Sequence, residues 1–338
     1  GVKPKTRIQE IARKTRYKLI TSWCKKKGIE KLFLAHHLDD QVETFFMRLG
    51  KGSGVDGLAV MNFVTETSSL KLVRPFLEIP KKRLIKVLDI SKLRWISDPS
   101  NFNLDYKRSR IRKILPILSK EGINSKQIGL VIKRMRSAKD ALNTQTGILL
   151  EKYLSNVDNV AYFLDKNLLK ESTEREILLR VLEKIFMNIS GSIYPPRRNK
   201  LENILSWITK ENNVAAKTLT GVVVRKRKSE FIFYREPEEC YKSVNIRPLT
   251  SRYSCWDDRF FLKANKSNNL QIRALGDIGI TILKEERILK RQGFQNVPLS
   301  AWKTVPAVWS KKRLISVPTL GYCKRKDLKI YIKSNKNI

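Results

Sequence analysis

A short apolar run at residues 31–35, KLFLA, lies between two stretches of helical periodicity and constrains the fold more than any other feature. Apolar residues between positions 5 and 27 can share one broad helix face, and residues 40–49 carry a second stripe spaced i, i+3, i+4, i+7. A short apolar run bounded in this way is typical of a buried strand. Helix, strand and helix in this order predict half of a parallel α/β layer.

The remaining patterns predict further elements along the chain. In the first part we expect a glycine-rich loop at 50–57 whose Gly50 ends the preceding helix, a strand at 71–77, a helix at 80–90, a turn at 98–101 and a basic helix at 107–118. In the second part we expect mostly helix over 123–215, a hairpin from 220–224 and 231–234, a linker at 236–250 and short strands beyond.

Both histidines of the chain, His36 and His37, directly follow the predicted strand, and acidic residues come next. Asp40 and Glu43 stand three apart in the first turn of the following helix, so their side chains share a face. Such a pair can bind an ammonium group, coordinate Mg²⁺ or act as a base. The spacing also fits a capping box with Asp40 as the cap, which leaves a structural role open. Because ligands bind beyond the carboxyl ends of parallel strands, the position favours binding.

The chain carries a large excess of positive charge, with 69 lysines and arginines against 32 acids and a net charge of +37. This excess favours a nucleic-acid partner over a merely lysine-rich surface, because a polyanion offsets the self-repulsion. The basic residues that we expect to contact RNA are Lys107, Arg110, Lys113, Arg197 and Arg198. Trp207, Trp256, Trp302 and Trp309 can stack on bases or lie in the core, and the core is favoured.

The four cysteines, Cys24, Cys240, Cys255 and Cys323, are far apart and form no C-x-x-C pair. We therefore expect no metal site and reduced thiols in a cytoplasmic protein. No apolar stretch approaches the roughly 18–20 residues that a membrane span needs, so no membrane partner is expected.

Several segments of the chain carry a family pattern, beginning with Ala-Arg-x-x-Arg-Tyr at 12–17 in the first predicted helix. The long ones are AHHLDDQVET at 35–44 and RLGKGSGVDGL at 48–58, and the short ones are VRPF at 73–76, DPSN at 98–101 and YKRSRIR at 106–112. Together they strongly resemble the tRNA(Ile)-lysidine synthetases, which are N-type, PP-loop ATP pyrophosphatases. The resemblance continues more weakly through 218–235 and 256–322 and so spans nearly the whole chain.

The resemblance implies an α/β fold class with three domains. A partial PP-loop (adenine nucleotide α-hydrolase-like) parallel-sheet domain is expected at 1–122. A mainly helical tRNA-binding domain that ends in a hairpin follows at 123–245, and a small α+β tRNA-binding domain at 250–338.

The resemblance also implies a reaction that uses ATP, with Mg²⁺ as its expected companion. The C2 carbonyl oxygen of cytidine 34, in an isoleucine tRNA with a CAU anticodon, is adenylated. The ε-amine of free L-lysine then displaces AMP. The lysidine formed pairs with A instead of G, so codon reading changes from AUG to AUA.

The same resemblance assigns roles to particular residues. Asp40 and Glu43 match positions that contact lysine, and we expect them to bind its ammonium group and accept its proton. Arg108 matches an arginine near the reacting groups, where a cation can stabilise developing charge. Arg112 is a further candidate for the nucleotide site, and a solvated helix face or a contact that positions a phosphate is an equally open role. His36 is another candidate for the nucleotide site, and a structural hydrogen bond at the end of the strand is an equally open role for it.

One family motif, the pyrophosphate loop Ser-Gly-Gly-x-Asp-Ser, has no counterpart in this sequence. In the family its backbone N–H groups hold pyrophosphate. Residues 50–57 do not replace it, because they lack the Gly-Lys-[Ser/Thr] ending of a phosphate-binding loop. We therefore expect the chain to begin midway through the catalytic domain, to bind isoleucine tRNA and not to form lysidine unaided.

Two alternatives remain beside the enzyme. The first is a non-catalytic tRNA-binding remnant. The upstream coding sequence distinguishes it from a truncated sequence, because only a truncated sequence would have the Ser-Gly-Gly-x-Asp-Ser loop encoded in frame upstream. The second is a related PP-loop enzyme such as a tRNA 2-thiocytidine synthetase. It is disfavoured because those enzymes hold a cluster with cysteine pairs that this chain lacks. The sequence leaves open whether the chain forms a homodimer.

Overall fold

The computed structural model describes residues 8–67, 70–96, 103–171, 174–192, 194–210, 215–243, 246–265, 269–288 and 296–334. Two compact units divide the chain, Gly1–Ala141 and Leu142–Ile338, and the division falls within one long helix. The turn predicted at 98–101 lies outside the described residues. The three-domain division stays a prediction, and its boundary at 245–250 falls inside the second unit.

The first unit combines helices with a small sheet. Its elements are α1 (Ile8–Lys26), β1 (Lys31–Phe33), α2 (Leu38–Leu49), α3 (Val55–Leu58), β2 (Val64–Glu66), β3 (Lys71–Val73), α4 (Lys81–Ile90), α5 (Lys107–Lys120) and the first part of α6 (Ser125–Tyr153). The helix predicted at 80–90 and the basic helix predicted at 107–118 are confirmed. The latter continues through Pro116.

The sheet of the first unit has the order β1-β3-β2. β1 pairs with β3 in parallel, as the apolar run and its flanking helices predicted, and β2 pairs with β3 antiparallel. The prediction that this strand is buried was wrong, because Lys31 and Phe33 are exposed and only Leu32 between them is half-buried. The parallel pairing continues past the strands, because the amide of Leu34 donates to the carbonyl of Val73 at 2.8 Å and a bridge joins His37 to Phe76. The segments after β1 and β3 therefore meet at one edge of the sheet.

The core of the first unit orients α2. Leu38, Val42 and Phe45 of α2 are buried against Ile128 and Ile132 of α6. Burying each such side chain stabilises the fold by about 1.5–3 kcal/mol, so the apolar stripe fixes the rotation of α2 about its axis. This rotation leaves the acidic face of the helix beside α5.

The second unit contains most of the strands. Its elements, after the end of α6, are β4 (Leu154–Val157), β5 (Ala161–Asp165), α7 (Arg175–Ser190), α8 (Arg198–Thr209), β6 (Ala216–Leu219), β7 (Val222–Lys226), β8 (Glu230–Arg235), α9 (Pro237–Ser243), β9 (Arg247–Pro248), β10 (Ser254–Trp256), β11 (Phe260–Ala264), β12 (Gln271–Ala274), α10 (Gly276–Glu285), α11 (Leu299–Trp302), β13 (Pro306–Ser310), β14 (Arg313–Val317), β15 (Tyr322–Cys323) and β16 (Ile330–Ser334). Short 3₁₀ turns follow β5 and β14.

These strands form three antiparallel sheets, with the orders β4-β5-β8-β7-β6, β15-β14-β13-β12-β9 and β10-β11-β16. The hairpin predicted from 220–224 and 231–234 is confirmed as β7 and β8. The sequence reading missed β4 and β5, which it assigned to a mostly helical region, and it missed α9, which it assigned to a linker. All four tryptophans considered for base stacking are buried, so their side chains belong to the core.

Candidate functional site

The helix α2 begins at Leu38, before Asp40, where the sequence predicted its start. His37, not Asp40, is the N-cap. Its Nδ1 accepts a hydrogen bond from the amide of Asp40 at 3.4 Å, and the Asp40 carboxylate accepts one from the amide of His37 at 3.0 Å. This is a capping box with Asp40 in its third position, so the assignment of Asp40 as the cap was wrong.

Glu43 projects from the next turn of α2 and is almost completely buried, with 1% of its side chain exposed. Its Oε1 accepts two hydrogen bonds from Arg112 of α5, from Nε at 2.8 Å and from Nη2 at 2.7 Å. Its Oε2 is also buried, yet no described residue donates to it. Burial raises the pKa of Glu43, and the Arg112 guanidinium opposes that rise. Glu43 is therefore a desolvated carboxylate in which Oε1 accepts hydrogen bonds from Arg112 and Oε2 accepts none from the described residues.

Glu43 and Arg112 line a cavity of about 320 Å³. Its remaining walls come from the starts of α2, α4 and α6 and from the end of α5, and the lining side chains include Asp39, Lys81, Leu115 and Ile123. This volume is at the lower end of the range for small-molecule sites, about 300–1,000 Å³. The cavity therefore offers acidic oxygens, two cations and an apolar wall to a small ligand.

Asp39 holds two walls of this cavity in place, a role that the sequence reading did not assign. Its Oδ2 accepts from the amide of Lys81, the first residue of α4, at 2.9 Å, and its Oδ1 accepts from the hydroxyl of Ser125 at 3.4 Å. A carboxylate at a helix N-terminus satisfies an amide that has no partner within the helix. The neighbouring acids Asp39 and Asp40 thus both serve as backbone acceptors.

Arg108 lies one turn before Arg112 on α5, and its Nη2 reaches the hydroxyl of Thr44 at 3.4 Å. That hydroxyl in turn donates to the carbonyl of Asp40 at 2.7 Å. The structure therefore brings together the predicted residues Asp40, Glu43, Arg108 and Arg112, which come from two helices far apart in sequence. Asp40 is not among the side chains that line the cavity.

His36 lies at the end of β1 beside this group. Its Nδ1 is buried, and within the described residues it has no hydrogen-bond partner. Burial lowers the pKa of His36, Asp40 opposes this, and the charges of Arg74, Arg13 and Arg108 lower it further. A neutral imidazole with an unused nitrogen is therefore available at the carboxyl edge of the sheet.

Arg74, which the sequence reading noted only as part of a matching segment, is buried after β3. Its Nη1 donates to the carbonyl of Asn62 at 2.9 Å and to the hydroxyl of Thr65 at 2.8 Å. These contacts tie the segment after β3 to β2. The signal that pointed to Arg74 was its place in VRPF, directly after a strand.

The glycine-rich loop at 50–57 folds back on α2. Gly50 caps the helix at a negative φ, and Gly52 has the left-handed φ of +68°. A Cβ at Gly57 would lie 2.4 Å from the Cβ of Ser53, so only glycine fits there. Arg48 fastens the loop by donating to the carbonyl of Gly57 at 2.7 Å.

The residues expected to contact RNA differ in their surroundings. Lys107 and Lys113 of α5 and Arg197 are exposed. Arg110 donates to the carbonyls of residues 104 and 105 at 2.8 and 2.9 Å, and Arg198 pairs with two glutamates of α7 and α8 at 2.7 and 3.2 Å. The first three are thus freer to bind phosphate than the last two.

Two further findings concern metals and membranes. Within the described ranges, no group of three or more histidine, cysteine or acidic side chains is placed to hold a metal ion. None of the described helices is both long enough and apolar enough to span a bilayer.

Comparison with known proteins gives consistent matches. Residues 2–118 match a family model described as a PP-loop domain. The tRNA(Ile)-lysidine synthase of Wolbachia sp. subsp. Brugia malayi is 34% identical over 256 residues, covering 76% of this chain and 59% of that protein. The enzyme of the same name from Wolbachia pipientis wMel is 29% identical over 94% of this chain and 72% of its own length. That of Ruegeria pomeroyi is 31% identical over 93% of this chain and 71% of its own length. The chain thus spans less than two thirds of the first relative.

Proposed function

The chain belongs to the tRNA(Ile)-lysidine synthase family of ATP-dependent PP-loop ligases, and on this basis we propose that it takes part in joining the ε-amine of free L-lysine to C2 of cytidine 34 in the CAU anticodon of isoleucine tRNA. Membership of the family implies isoleucine tRNA and ATP as substrates. In the proposed reaction the C2 oxygen is adenylated, the amine attacks C2, and AMP leaves with that oxygen.

The observation that carries this proposal is the buried carboxylate of Glu43. Its Oε1 is held by Arg112, and its Oε2 has no donor in the described part of the chain. A buried acceptor without a partner costs about 1–3 kcal/mol, a penalty that an ammonium group in the 320 Å³ cavity would remove. The charge-assisted hydrogen bond that it forms is also stronger than a neutral one.

The other cavity walls suit the remainder of a lysine molecule. Leu115 and Ile123 offer apolar surface to its methylene chain, and Lys81 offers a cation to its α-carboxylate. The position of Glu43 thus selects a ligand with a positive charge at the end of an apolar stem.

Glu43 is also suited to take the proton that the ammonium group must lose before it attacks. Because burial raises the pKa of this carboxylate, it is a stronger base than an exposed glutamate. The proton moves from Nζ of lysine to Oε2, the neutral amine forms the bond to C2, and the electron pair of the broken C–O bond leaves with AMP. Arg112 then bonds a neutral acid instead of a carboxylate.

Arg108 and Asp40 support this step in different ways. Arg108 is directed toward the first turn of α2 by its contact with Thr44, and we propose that its guanidinium neutralises charge on the leaving phosphate. Asp40 keeps the turn closed through the amide of His37 and adds negative charge near the amine. His36 and Arg112 are proposed to border the nucleotide.

We propose that Mg²⁺ accompanies ATP and is held mainly by its phosphates, as is usual for nucleotide-bound magnesium. We also propose that the reaction takes place in the cytoplasm and that the chain can form a homodimer. Apolar side chains exposed on α1 and β1, such as Leu19, Trp23 and Phe33, support a dimer surface. Light scattering in solution measures the oligomeric state.

Binding of tRNA is proposed to involve the exposed basic residues Lys107, Lys113 and Arg197, with Arg110 and Arg198 held in other contacts at the same surfaces. Phosphate contacts from lysine and arginine give an affinity that falls steeply with salt.

The test is incorporation of labelled lysine into isoleucine tRNA with a CAU anticodon, with and without ATP, in the presence of a separate polypeptide that supplies the Ser-Gly-Gly-x-Asp-Ser loop, because this sequence carries no such loop. A methionine tRNA with the same anticodon is the specificity control. ATP-dependent incorporation that is confined to the isoleucine tRNA and lost in Glu43→Gln would support the proposal. Binding of tRNA without incorporation would overturn it in favour of the non-catalytic remnant.

A further inference from the structure

The second unit contains a cavity of about 860 Å³ that the proposed reaction does not use. It is bordered by the end of α6, the β4–β5 hairpin, α7 and residues near the 3₁₀ turn after β14. Its lining is mixed in character, with three asparagines, a tyrosine and a threonine next to leucine, isoleucine and proline side chains. Its size lies in the range of sites that hold small molecules or single nucleotides.

A chain of hydrogen bonds stiffens one wall of this cavity. The amide nitrogen of Asn188 donates to the hydroxyl of Tyr162, which donates to the side-chain oxygen of Asn159. Asn159 is itself fixed in the β4–β5 turn, where Asp158 and Asn159 have left-handed φ values of 47° and 56°. Burial raises the pKa of Tyr162 to about 12, so the phenol stays neutral and keeps its proton.

Two polar atoms at this cavity are buried without hydrogen-bond partners in the described structure. They are the side-chain oxygen of Asn188 and the hydroxyl of Thr319. Because the Asn188 nitrogen is engaged by Tyr162, the oxygen is the atom left to accept from a ligand. The Asn188 oxygen calls for a hydrogen-bond donor on the ligand, and the Thr319 hydroxyl can bond either a donor or an acceptor.

The charges around the cavity narrow the class of ligand. Glu151 and Asp158 oppose the single cation Lys184 in the described lining, so the lining is net negative in a chain of net charge +37. A phosphate group is therefore disfavoured inside the cavity, whereas N–H donors are favoured. The purine and cytosine edges carry exocyclic amino groups, and asparagine side chains match such edges in polarity and geometry.

We propose that this cavity binds one unpaired nucleobase of an RNA that carries an exocyclic amino group. The Asn188 oxygen accepts from the amino group, and the Thr319 hydroxyl bonds a ring nitrogen or carbonyl. The apolar side chains Leu150 and Leu154 cover the faces of the base. The choice of RNA over another donor-rich ligand rests on the tRNA-binding part of the proposed function.

Binding of free nucleosides to the full chain tests the cavity without requiring catalysis or tRNA. Ligand-observed NMR titrations with adenosine, cytidine and uridine measure the affinities. N6,N6-dimethyladenosine is the matched ligand control, since it lacks both amino hydrogens but keeps the ring. Adenosine and cytidine are expected to bind at least about fivefold more tightly than dimethyladenosine and uridine, a ratio set by one hydrogen bond.

Protein variants connect the binding to this cavity. Asn188→Leu removes the acceptor and is expected to weaken adenosine binding about tenfold or more, while Thr319→Val weakens it less. Asn199→Leu, a matched change on an exposed part of α8, leaves binding unchanged. Melting curves show that each variant is folded.

The outcomes separate this proposal from the proposed function. Nucleosides that fail to bind while tRNA binds normally would overturn the cavity assignment alone. Nucleoside binding that is lost in Asn188→Leu, in a chain that fails to bind tRNA, would support the cavity and reject the function. Equal binding by dimethyladenosine, or binding of spermidine or free lysine that displaces adenosine at lower concentration, would also overturn the proposal.

Discussion

Glu43→Gln removes the negative charge of the buried carboxylate while keeping the size of the side chain. The amide oxygen of the new side chain can still accept from Arg112, but the atom that replaces Oε2 becomes an N–H₂ donor. A lysine ammonium group that approaches this position then meets a donor instead of an acceptor. The change therefore tests the leftover oxygen directly and disturbs the packing of α2 little.

The expected loss follows from the contacts of Glu43. A hydrogen bond to a charged group contributes about 1.5–3 kcal/mol, which corresponds to a roughly 10- to 100-fold loss of lysine affinity. Removing one partner of a fully buried ion pair costs about 3–5 kcal/mol of stability. Because Arg112 is 40% exposed and can be rehydrated, and because burial already disfavours the charged carboxylate, we expect the free energy of unfolding to change by no more than about 1–2 kcal/mol.

Calorimetric titration with L-lysine measures the affinity, and norleucine serves as the ligand without the charge. Glu121→Gln, an exposed change at the end of α5, is the matched control and should bind lysine normally. Arg112→Gln distinguishes ligand binding from simple pairing. If Glu43 serves only to pair with Arg112, Glu43→Gln and Arg112→Gln should lower the lysine affinity and the free energy of unfolding to the same extent.

Normal lysine affinity in a folded Glu43→Gln chain would refute the reasoning, because it would place the ammonium group elsewhere. Equal losses of lysine affinity in Glu43→Gln and Arg112→Gln would show that the two side chains form only a structural contact.

Three further predictions concern stability and RNA binding. The pKa of Glu43 is raised in the folded state, so the folded chain binds the carboxyl proton more readily than the unfolded chain. The free energy of unfolding, taken relative to Glu43→Gln, should therefore be greatest below about pH 4.5 and fall as pH rises through the folded pKa. Denaturant unfolding from pH 4 to 8 measures this difference, and a difference that does not change with pH would contradict the prediction. Asp257→Asn should lower the free energy of unfolding by about 3–5 kcal/mol in denaturant titrations, because Asp257 pairs with the buried Arg235 at 3.0 Å and the buried Arg259 at 2.8 Å. Lys113→Gln should weaken tRNA binding uniformly across sequences and reduce the slope of log affinity against log salt by about 1, and an unchanged slope would remove Lys113 from the interface.

The α/β arrangement of the first unit was predictable because its signals are local. The apolar run at 31–35 and the stripe containing Val42 and Phe45 each span only a few residues. Burial enforces the stripe, whereas the run is held by its parallel pairing with β3. The helix start was misplaced because the sequence rule favours serine, threonine and aspartate as caps, whereas here His37 caps through an imidazole nitrogen.

The partner of Glu43 could not be predicted from spacing. Arg112 lies 69 positions later, and its basic neighbours on α5 resemble an ordinary solvated helix face. Only packing of α2 against α5 brings the two charges together. Likewise, β4 and β5 were missed because residues 154–165 carry too little alternation to be distinguished from the helices on either side.

The helix α9 shows a signal that was present but passed over. Pro237 at its start is followed by Glu238 and Glu239, which is the composition of a first helical turn. Glu236, which directly precedes α9, donates its backbone amide to the carbonyl of Gly221 at 2.9 Å. A backbone hydrogen bond between residues this far apart leaves no pattern in the sequence.

A crystal structure of the chain with L-lysine tests the central claim most directly. Lysine is expected in the cavity between α2 and α5, with its Nζ at about 2.7–3.2 Å from Oε2 of Glu43 and the Arg112 contact to Oε1 retained. Lysine bound with its ammonium group away from Glu43, or bound in the cavity of the second unit, would contradict it.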